Sequence, residues 1–442
     1  MRLRFLLIMI FLVLTSPTSM AEQEEVYLSV KLSLEPPFSL EFSQPVQLFT
    51  SDEQRLEKSL ISKAEWKPVK KGQLRSGIKW RVDFTGKKIL ITSGLGDRIS
   101  SELPLMFSNN SSEYGLKING QEYPGTVQIW PAENLVTINY LGLEEYVASV
   151  LAAEAYAGWP EAALKVNAVA IRTYTLYNLN KHKEFDLCDQ VHCQIYRGVQ
   201  ASPLFKEVVL ACMGEVLTWQ KSLINAVYHS SSGGRTQNNE EVWDGTPLPY
   251  LRGVKDFDQE SKNYYWPESF LFNSQELAAA VGLSAEKGIE ITPIYAASGN
   301  RVAYRFSSLD NGEEKILRNI SLRWLFLFPS CNFQAFIIKE GAIKEGLVET
   351  AGLQLGRADL NNNELTLDVR IESKVNGEEI SKPVKLRQGE RVLFVGKGSG
   401  HGVGLGQWGA AALAEQNYDY QQILRYYYGE SVEITQFQPS FK

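Results

Sequence analysis

The sequence predicts an α+β protein: a mixed α/β core in which a pair of helices carries one conspicuous glutamate, preceded by a small β-rich N-terminal domain. Two observations predict it. Val26, Leu28, Val30, Leu32 and Leu34 alternate strictly with polar partners, the pattern of a half-buried strand. Residues 143–157 (LEEYVASVLAAEAYA) and 160–180 (PEAALKVNAVAIRTYTLYNLN) instead place apolar side chains at helical spacing.

The 442 residues suffice for a large core and two domains. Apolar residues make up 44% and charged residues 22%, which excludes a disordered or fibrous chain. The net charge is −6, with no basic excess of the kind nucleic-acid binding requires. Residues 1–21 read as a secretory signal: Arg2 and Arg4, an apolar run Phe5–Leu14, and a small-x-small cleavage site at Ser19-Met20-Ala21. Ten apolar residues are too few to span a bilayer comfortably. The mature chain is therefore expected to begin near Glu22 and to be exported to the periplasm, cell wall or exterior.

Residues 22–112 read as the accessory β domain, with further strands at 45–50, 79–84, 88–93 and 103–107. They contain neither His nor Cys. Residues 113–442 form the second expected domain, beginning with strands at 115–118, 126–130 and 135–140 that lead into the helical pair.

Glu154 stands out within that pair. It lies seven residues after Val147, four after Val150 and three after Leu151, so it projects from the apolar stripe. Desolvation there disfavours the charged carboxylate and raises its pKa from about 4.3, which suits a general acid near neutral pH. Pro160 fits the first turn of the second helix, where its missing N–H costs nothing. Lys165 and Arg172 share one face of that helix, seven residues apart. The competing reading is structural: Glu154 forms a buried ion pair with Lys165 or Arg172.

Beyond the pair, Ser202-Pro203 starts a helix ended by Gly214. Residues 215–219 and 223–229 read as a hairpin that runs into His229-Ser-Ser-Ser-Gly-Gly234, where glycines permit close approach of a ligand. Asn273 and Glu276 form a capping box for a helix ending at Gly282. The rest of 270–390 is strand-like, with turns at Asp310-Asn311-Gly312 and 361–363. Residues 396–409 (GKGSGHGVGLGQWG) hold seven glycines around His401, Gln407 and Trp408 but lack the spacing of a phosphate-binding loop. Asp419 caps a last helix over 420–428, stopped by Gly429.

Half of the four Cys and half of the four His fall in one loop. His182, Cys188, His192 and Cys193 supply two nitrogens and two thiolates for a tetrahedral zinc site. A Cys188–Cys193 disulfide is the alternative in an oxidising compartment. Cys212 and Cys331 read as buried apolar fillers.

Three ordered blocks resemble the SpoIID/LytB family of peptidoglycan proteins: LEEYVASVLAAEAYAGWPEAALKVNAVAIRTYTLY (143–177), YHSSSGGRTQNNEEVWDGTPLPYL (228–251) and GKGSGHGVGLGQWGAAA (396–412). DLCDQVHCQIYRG (186–198) is similar too, and the likeness extends over roughly 113–435. The resemblance implies a lytic transglycosylase that cuts the MurNAc–GlcNAc bond to a 1,6-anhydroMurNAc end, on glycan stripped of stem peptides, with Glu154 as its acid. It implies zinc on the four loop residues, peptidoglycan glycan strands as substrate and a cell-wall amidase as a partner. Other members are amidase enhancers, so a non-catalytic wall-binding protein is the alternative. Lys165, Arg172, Tyr196, His229, Ser230, Ser232, Gly233, Gly234, His401, Gln407 and Trp408 are the residues expected to line the glycan groove.

The sequence departs from the family where Glu154-Ala155-Tyr156 replaces Glu-Met-Pro, where Asn167 replaces Gln and where Gly406 replaces Ser. It also carries a longer β segment, about 335–390. A hydrolase would need a second carboxylate, for which Glu144, Glu145 and Asp244 are the candidates. A serine hydrolase built on His229 and Ser230–Ser232 lacks a nucleophile elbow.

Overall fold

The computed structural model describes residues 26–438, apart from 54, 109–114, 180, 200, 201, 268, 339–342, 345, 346, 349–378, 388 and 389. The expected leader (1–21), the turn at 361–363 and most of the long β segment lie outside the described residues.

The protein is a mixed α+β fold, with helices and sheets and a β-rich N-terminal region. A seven-stranded sheet runs in the order Leu187–Cys188, Tyr27–Leu32, Leu135–Gly142, Thr126–Pro131, Leu105–Ser108, Val46–Thr50, Lys67–Leu74. A six-stranded sheet combines Phe38–Phe42, Trp80–Phe84, Ile89–Ser93 and Arg98–Ser101 with Leu116–Ile118 and Gln121–Tyr123. The alternation at 26–34 becomes the strand Tyr27–Leu32, with Leu28, Val30 and Leu32 buried.

The sheets do not divide at residue 112. Tyr27–Leu32 pairs antiparallel with Leu135–Gly142 from Tyr27↔Gly142 to Leu32↔Thr137, and Phe38–Phe42 pairs with Leu116–Ile118. Each ladder needs strands from both sides of that point, and one core extends from Leu28 to Val432. A second core gathers Trp266, Tyr304, Phe306, Phe328, Phe333 and Phe394, so it is the 266–394 stretch that packs around its own centre.

Strand Leu135–Gly142 passes directly into the helix Leu143–Glu154, whose first N–H is taken by the Val26 carbonyl at 2.8 Å. Tyr146, Val147, Val150 and Leu151 are buried, as the stripe predicts, and the helix stops where Ala155 turns extended. Pro160 sits at the cap of the next helix, Glu161–Tyr177, one position earlier than expected. Its small residues admit two further helices, Pro203–Ala211 and Gln407–Glu415, at close range.

The 215–229 hairpin is only partly formed. Glu215–Trp219 pairs with Ser222–Leu223, but Tyr228–His229 leaves to run parallel with Leu405–Gly406, because the Ser-rich and Gly-rich loops pair with each other. The Asn273/Glu276 capping box and left-handed Gly282 bound Ser274–Val281, and Asp419 caps Tyr420–Tyr428. The helix Asn319–Phe326 arises where strand was expected. Among the described residues no helix is long and apolar enough to cross a membrane.

Candidate functional site

Glu154 ends its helix half-buried, and its Oε1 accepts the Ile195 N–H at 3.1 Å. Burial pushes its pKa up, and the single amide contact only partly offsets this. The Tyr228 phenol lies near enough for the Glu154 charge to help raise its own pKa, after burial.

Neither expected cation reaches Glu154. Lys165 Nζ pairs with Glu161 at 2.7 Å, one turn away, and lies over the Tyr420 ring of another helix. Arg172 is fully buried and grips Glu144, with Nε 2.9 Å from Oε1 and 3.1 Å from Oε2. It also donates to the Glu215 carbonyl at 3.1 Å. Arg172 thus clamps helix to helix and strand, with no exposure to a groove, which corrects its place among the glycan-lining residues. The ion-pair reading of Glu154 falls with it.

Around the acid, Gln194 organises three side chains. Its Nε2 donates to Thr175 Oγ1 at 2.8 Å and to the Tyr146 hydroxyl at 3.3 Å, and its Oε1 accepts from the Tyr228 hydroxyl at 2.9 Å. Tyr196 is buried, donates to Asn139 Oδ1 at 2.6 Å and stacks on Tyr146, so it too supports the wall from behind rather than facing a sugar. The sequence offered no sign of Gln194 beyond its place next to Cys193.

The ligating atoms of His182, Cys188, His192 and Cys193 all lie within 4.8 Å of one another. His182 Nε2 is 3.2 Å from Cys193 Sγ, and His192 Nδ1 is 3.6 Å from Cys193 Sγ and 3.8 Å from Cys188 Sγ. Zinc bond lengths imply tetrahedral edges of about 3.3–3.8 Å, so the donor set fits that ion. Both cysteines are free thiols here rather than a disulfide. Burial first, then His192 and Lys181, lower the His182 pKa, leaving a neutral ring with a lone pair to give.

The Ser-rich loop is shaped by two buried aspartates that sequence reasoning missed. Asp258 accepts Ser231 Oγ, Gly233 N at 2.8 Å and Gly234 N at 2.9 Å. Asp256 accepts Ser232 Oγ and Tyr427 OH, each at 2.6 Å. Ser232, Gly233 and Gly234 therefore hold the loop, with both glycines at positive φ. Their Asp-x-Asp spacing in a polar stretch was the one available signal. A Cβ at Gly406 would stand 2.4 Å from Asp256 Oδ2, which explains why this chain carries no serine there.

His229 and His401 stand ring to ring at 5.4 Å, and Trp243 packs 4.9 Å from His401. Gln407 is buried and donates to Asn167 Oδ1 at 3.2 Å, joining two helices instead of facing outward. The backbone N–H of Trp408 donates to the Ser230 carbonyl at 3.1 Å, and the half-buried Trp408 ring meets Trp159 edge-on at 5.3 Å. Of the expected groove residues, Ser230 and Trp408 come together with Trp159, five residues beyond Glu154. Among the described residues no serine pairs with His229, whose Nδ1 faces the Val403 carbonyl at 3.1 Å. Glu144 and Asp244 are engaged by Arg172 and Arg318.

Residues 132–219 match the family model described as SpoIID, Stage II sporulation protein. An uncharacterized protein of Brachyspira hyodysenteriae is 27% identical over 73% of this chain and 75% of its own length. The Stage II sporulation protein D of Bacillus amyloliquefaciens is 24% identical, covering 72% of this chain and 80% of its own. The Amidase enhancer of Bacillus subtilis is also 24% identical over 72% of this chain, which spans 45% of that protein's length.

Proposed function

We propose that this chain, a SpoIID-family protein with a role at the cell wall, is an exported lytic transglycosylase acting on peptidoglycan glycan strands with Glu154 as its acid. The observation that carries the reading is a half-buried carboxyl with a raised pKa, one amide contact and, among the described residues, no cation beside it. Protonated, Glu154 gives its proton to the glycosidic oxygen as that bond breaks. The MurNAc C6 hydroxyl then closes on the anomeric carbon, and Glu154 takes up the hydroxyl proton, leaving a 1,6-anhydro end. The internal hydroxyl has a high effective concentration, so one carboxyl serves both steps and no second carboxylate is needed.

Zn2+ held by His182, Cys188, His192 and Cys193 would supply a structural crosslink for the loop. Cys193 continues directly into Gln194 and Ile195, which contact Tyr228 and Glu154, so the loop sets where the acid sits. The test is mass spectrometry of products from intact and amidase-treated peptidoglycan. Anhydro products that vanish in Glu154→Gln support the reading; hydrated ends, heavier by one water, refute it.

The Bacillus subtilis relative favours a second reading, a non-catalytic wall-binding protein that recruits or enhances an N-acetylmuramoyl-L-alanine amidase. Binding to sacculi with no soluble product, together with faster release of peptides by an added amidase, would select it.

A further inference from the structure

The second core lies between a sheet and two helices. The sheet runs in the order Glu314–Arg318, Arg301–Ser308, Ile289–Tyr295, Val384–Leu386. Tyr304 and Phe306 from its strands share that core with Leu277 and Val281 of the helix Ser274–Val281 and with Leu322 and Phe326 of the helix Asn319–Phe326. Leu322 and Phe326 lie four apart, so burying them turns the opposite side of their helix outward. There Trp324 is 58% exposed, Leu325 45% and Leu327, just past the helix end, 79%. Single exposed apolar residues are ordinary, but three large ones within four positions form a patch.

Leu327 is the sharper anomaly. It ends the helix at φ +57°, in the left-handed region that a leucine rarely adopts. Glycine closes such a cap without strain, as Gly282 does for the neighbouring helix. The backbone turn therefore gives no reason for a leucine, and a side chain so exposed adds little to the core.

The charge beside the patch has one sign. Residues 315–338 carry Lys315, Arg318 and Arg323 and no Asp or Glu. Arg318 is matched by Asp244 at 2.6 Å, and Glu314, just before this stretch, faces Arg305 at 3.6 Å. Among the described residues no carboxylate pairs with Lys315 or Arg323. Lys315 reaches over Gly282, at the end of the neighbouring helix. The Arg323 guanidinium lies on the Trp324 ring, 4.8 Å from its centre, while its Nε donates to the Pro329 carbonyl at 3.2 Å. An indole with leucines ahead of it and a cation against its face matches the layering of a bilayer interface: acyl chains, headgroup level, phosphate. A helix end with projecting side chains also suits a surface that deforms around it.

We propose that the end of the helix Asn319–Phe326 docks on an anionic lipid surface, with Trp324, Leu325 and Leu327 entering the interface and Arg323 and Lys315 facing the phosphates. The docking stands apart from Glu154 and its chemistry.

The test is co-sedimentation with vesicles of phosphatidylcholine alone or mixed with phosphatidylglycerol. It uses the chain from Glu22 onward, which keeps every described residue and drops the apolar run Phe5–Leu14. Binding to the mixed vesicles is expected to be about tenfold stronger, an excess that fades as salt rises. Leu327→Gly should weaken binding about fivefold while raising the melting temperature, because it removes an interfacial leucine and relieves the cap. Adding Trp324→Gln should weaken binding further, and Lys315→Gln should reduce only the preference for phosphatidylglycerol. No vesicle binding, equal binding to both vesicle types, or unchanged binding by a folded Leu327→Gly/Trp324→Gln double variant overturns the proposal. Light scattering addresses the rival occupant: a dimer that the double variant dissolves, without vesicle binding, overturns the lipid surface and gives the face to a second copy. Neither readout involves cutting glycan, so the result is independent of whether the chain is lytic.

Discussion

Ile195 and Glu154 meet across 41 residues of chain, the backbone N–H of the first donating to the carboxylate of the second at 3.1 Å. Ile195 follows Cys193 by two positions, so the acid and the His/Cys loop are mechanically one unit. A backbone donor cannot be deleted by changing a side chain, so the contact is best probed from the acid or from the loop.

Glu154→Gln should abolish anhydro products and stabilise the fold. The folded-state pKa is raised above the ordinary 4.5, so the native chain binds its proton more tightly than the unfolded chain does. The wild type therefore loses stability as pH climbs from 4.5 through the raised value, and the penalty is constant above it. Glutamine escapes that penalty. Melting temperatures should coincide at a pH of about 4 and diverge in favour of the variant at about 8. Wild-type lytic rate should fall with rising pH over the same window, as the acid loses its proton. Coincident melting at both values would mean the carboxyl is well solvated.

Metal analysis of the purified protein should find one zinc per chain, lost in Cys193→Ser. Chelation should lower the melting temperature and the yield of glycan products together, and added zinc should restore both. Four reactive thiols on denaturation without stoichiometric zinc would dismiss the metal.

Arg172→Ala should cost about 3–5 kcal/mol in urea unfolding, because it strips the partner from Glu144 and opens a buried void. Replacing both residues by apolar side chains should cost less than removing the arginine alone. A stable Arg172→Ala that no longer binds glycan would return the residue to the groove.

Gly409→Ala should destabilise by about 1–3 kcal/mol, since its Cβ would fall 1.7 Å from Asp256 Oδ1 and 2.2 Å from the Tyr427 hydroxyl. Proteolysis should then begin in the loops that Asp256 holds. Unchanged urea unfolding would show that the aspartate moves aside without cost.

What could be read from the chain was local or periodic. The Tyr27–Leu32 strand, the apolar stripe ending at Glu154 and the capping boxes at Asn273 and Asp419 each depend on residues a few positions apart. The helix Asn319–Phe326 escaped because Arg318 gives it no side-chain cap and few of its residues are buried. In the site, the four His/Cys donors were legible from their crowding within twelve residues. The partner of Arg172 was not, because Glu144 faces it from another helix 28 residues away. Asp256 and Asp258 were likewise hidden: their partners are serine hydroxyls, a tyrosine and backbone amides, which no charge pattern announces.

The Val26 carbonyl closes the first turn of the helix that ends in Glu154, and the strand beginning at Tyr27 is zipped along the strand feeding that helix. Clipping the amino terminus back past Leu32 would leave the helix start uncapped and bare one side of the strand that anchors it. Such trimming would slacken the seat of Glu154 from the far end of its helix. Protease sensitivity and tags at that end thus bear on the placement of Glu154 as well as on handling.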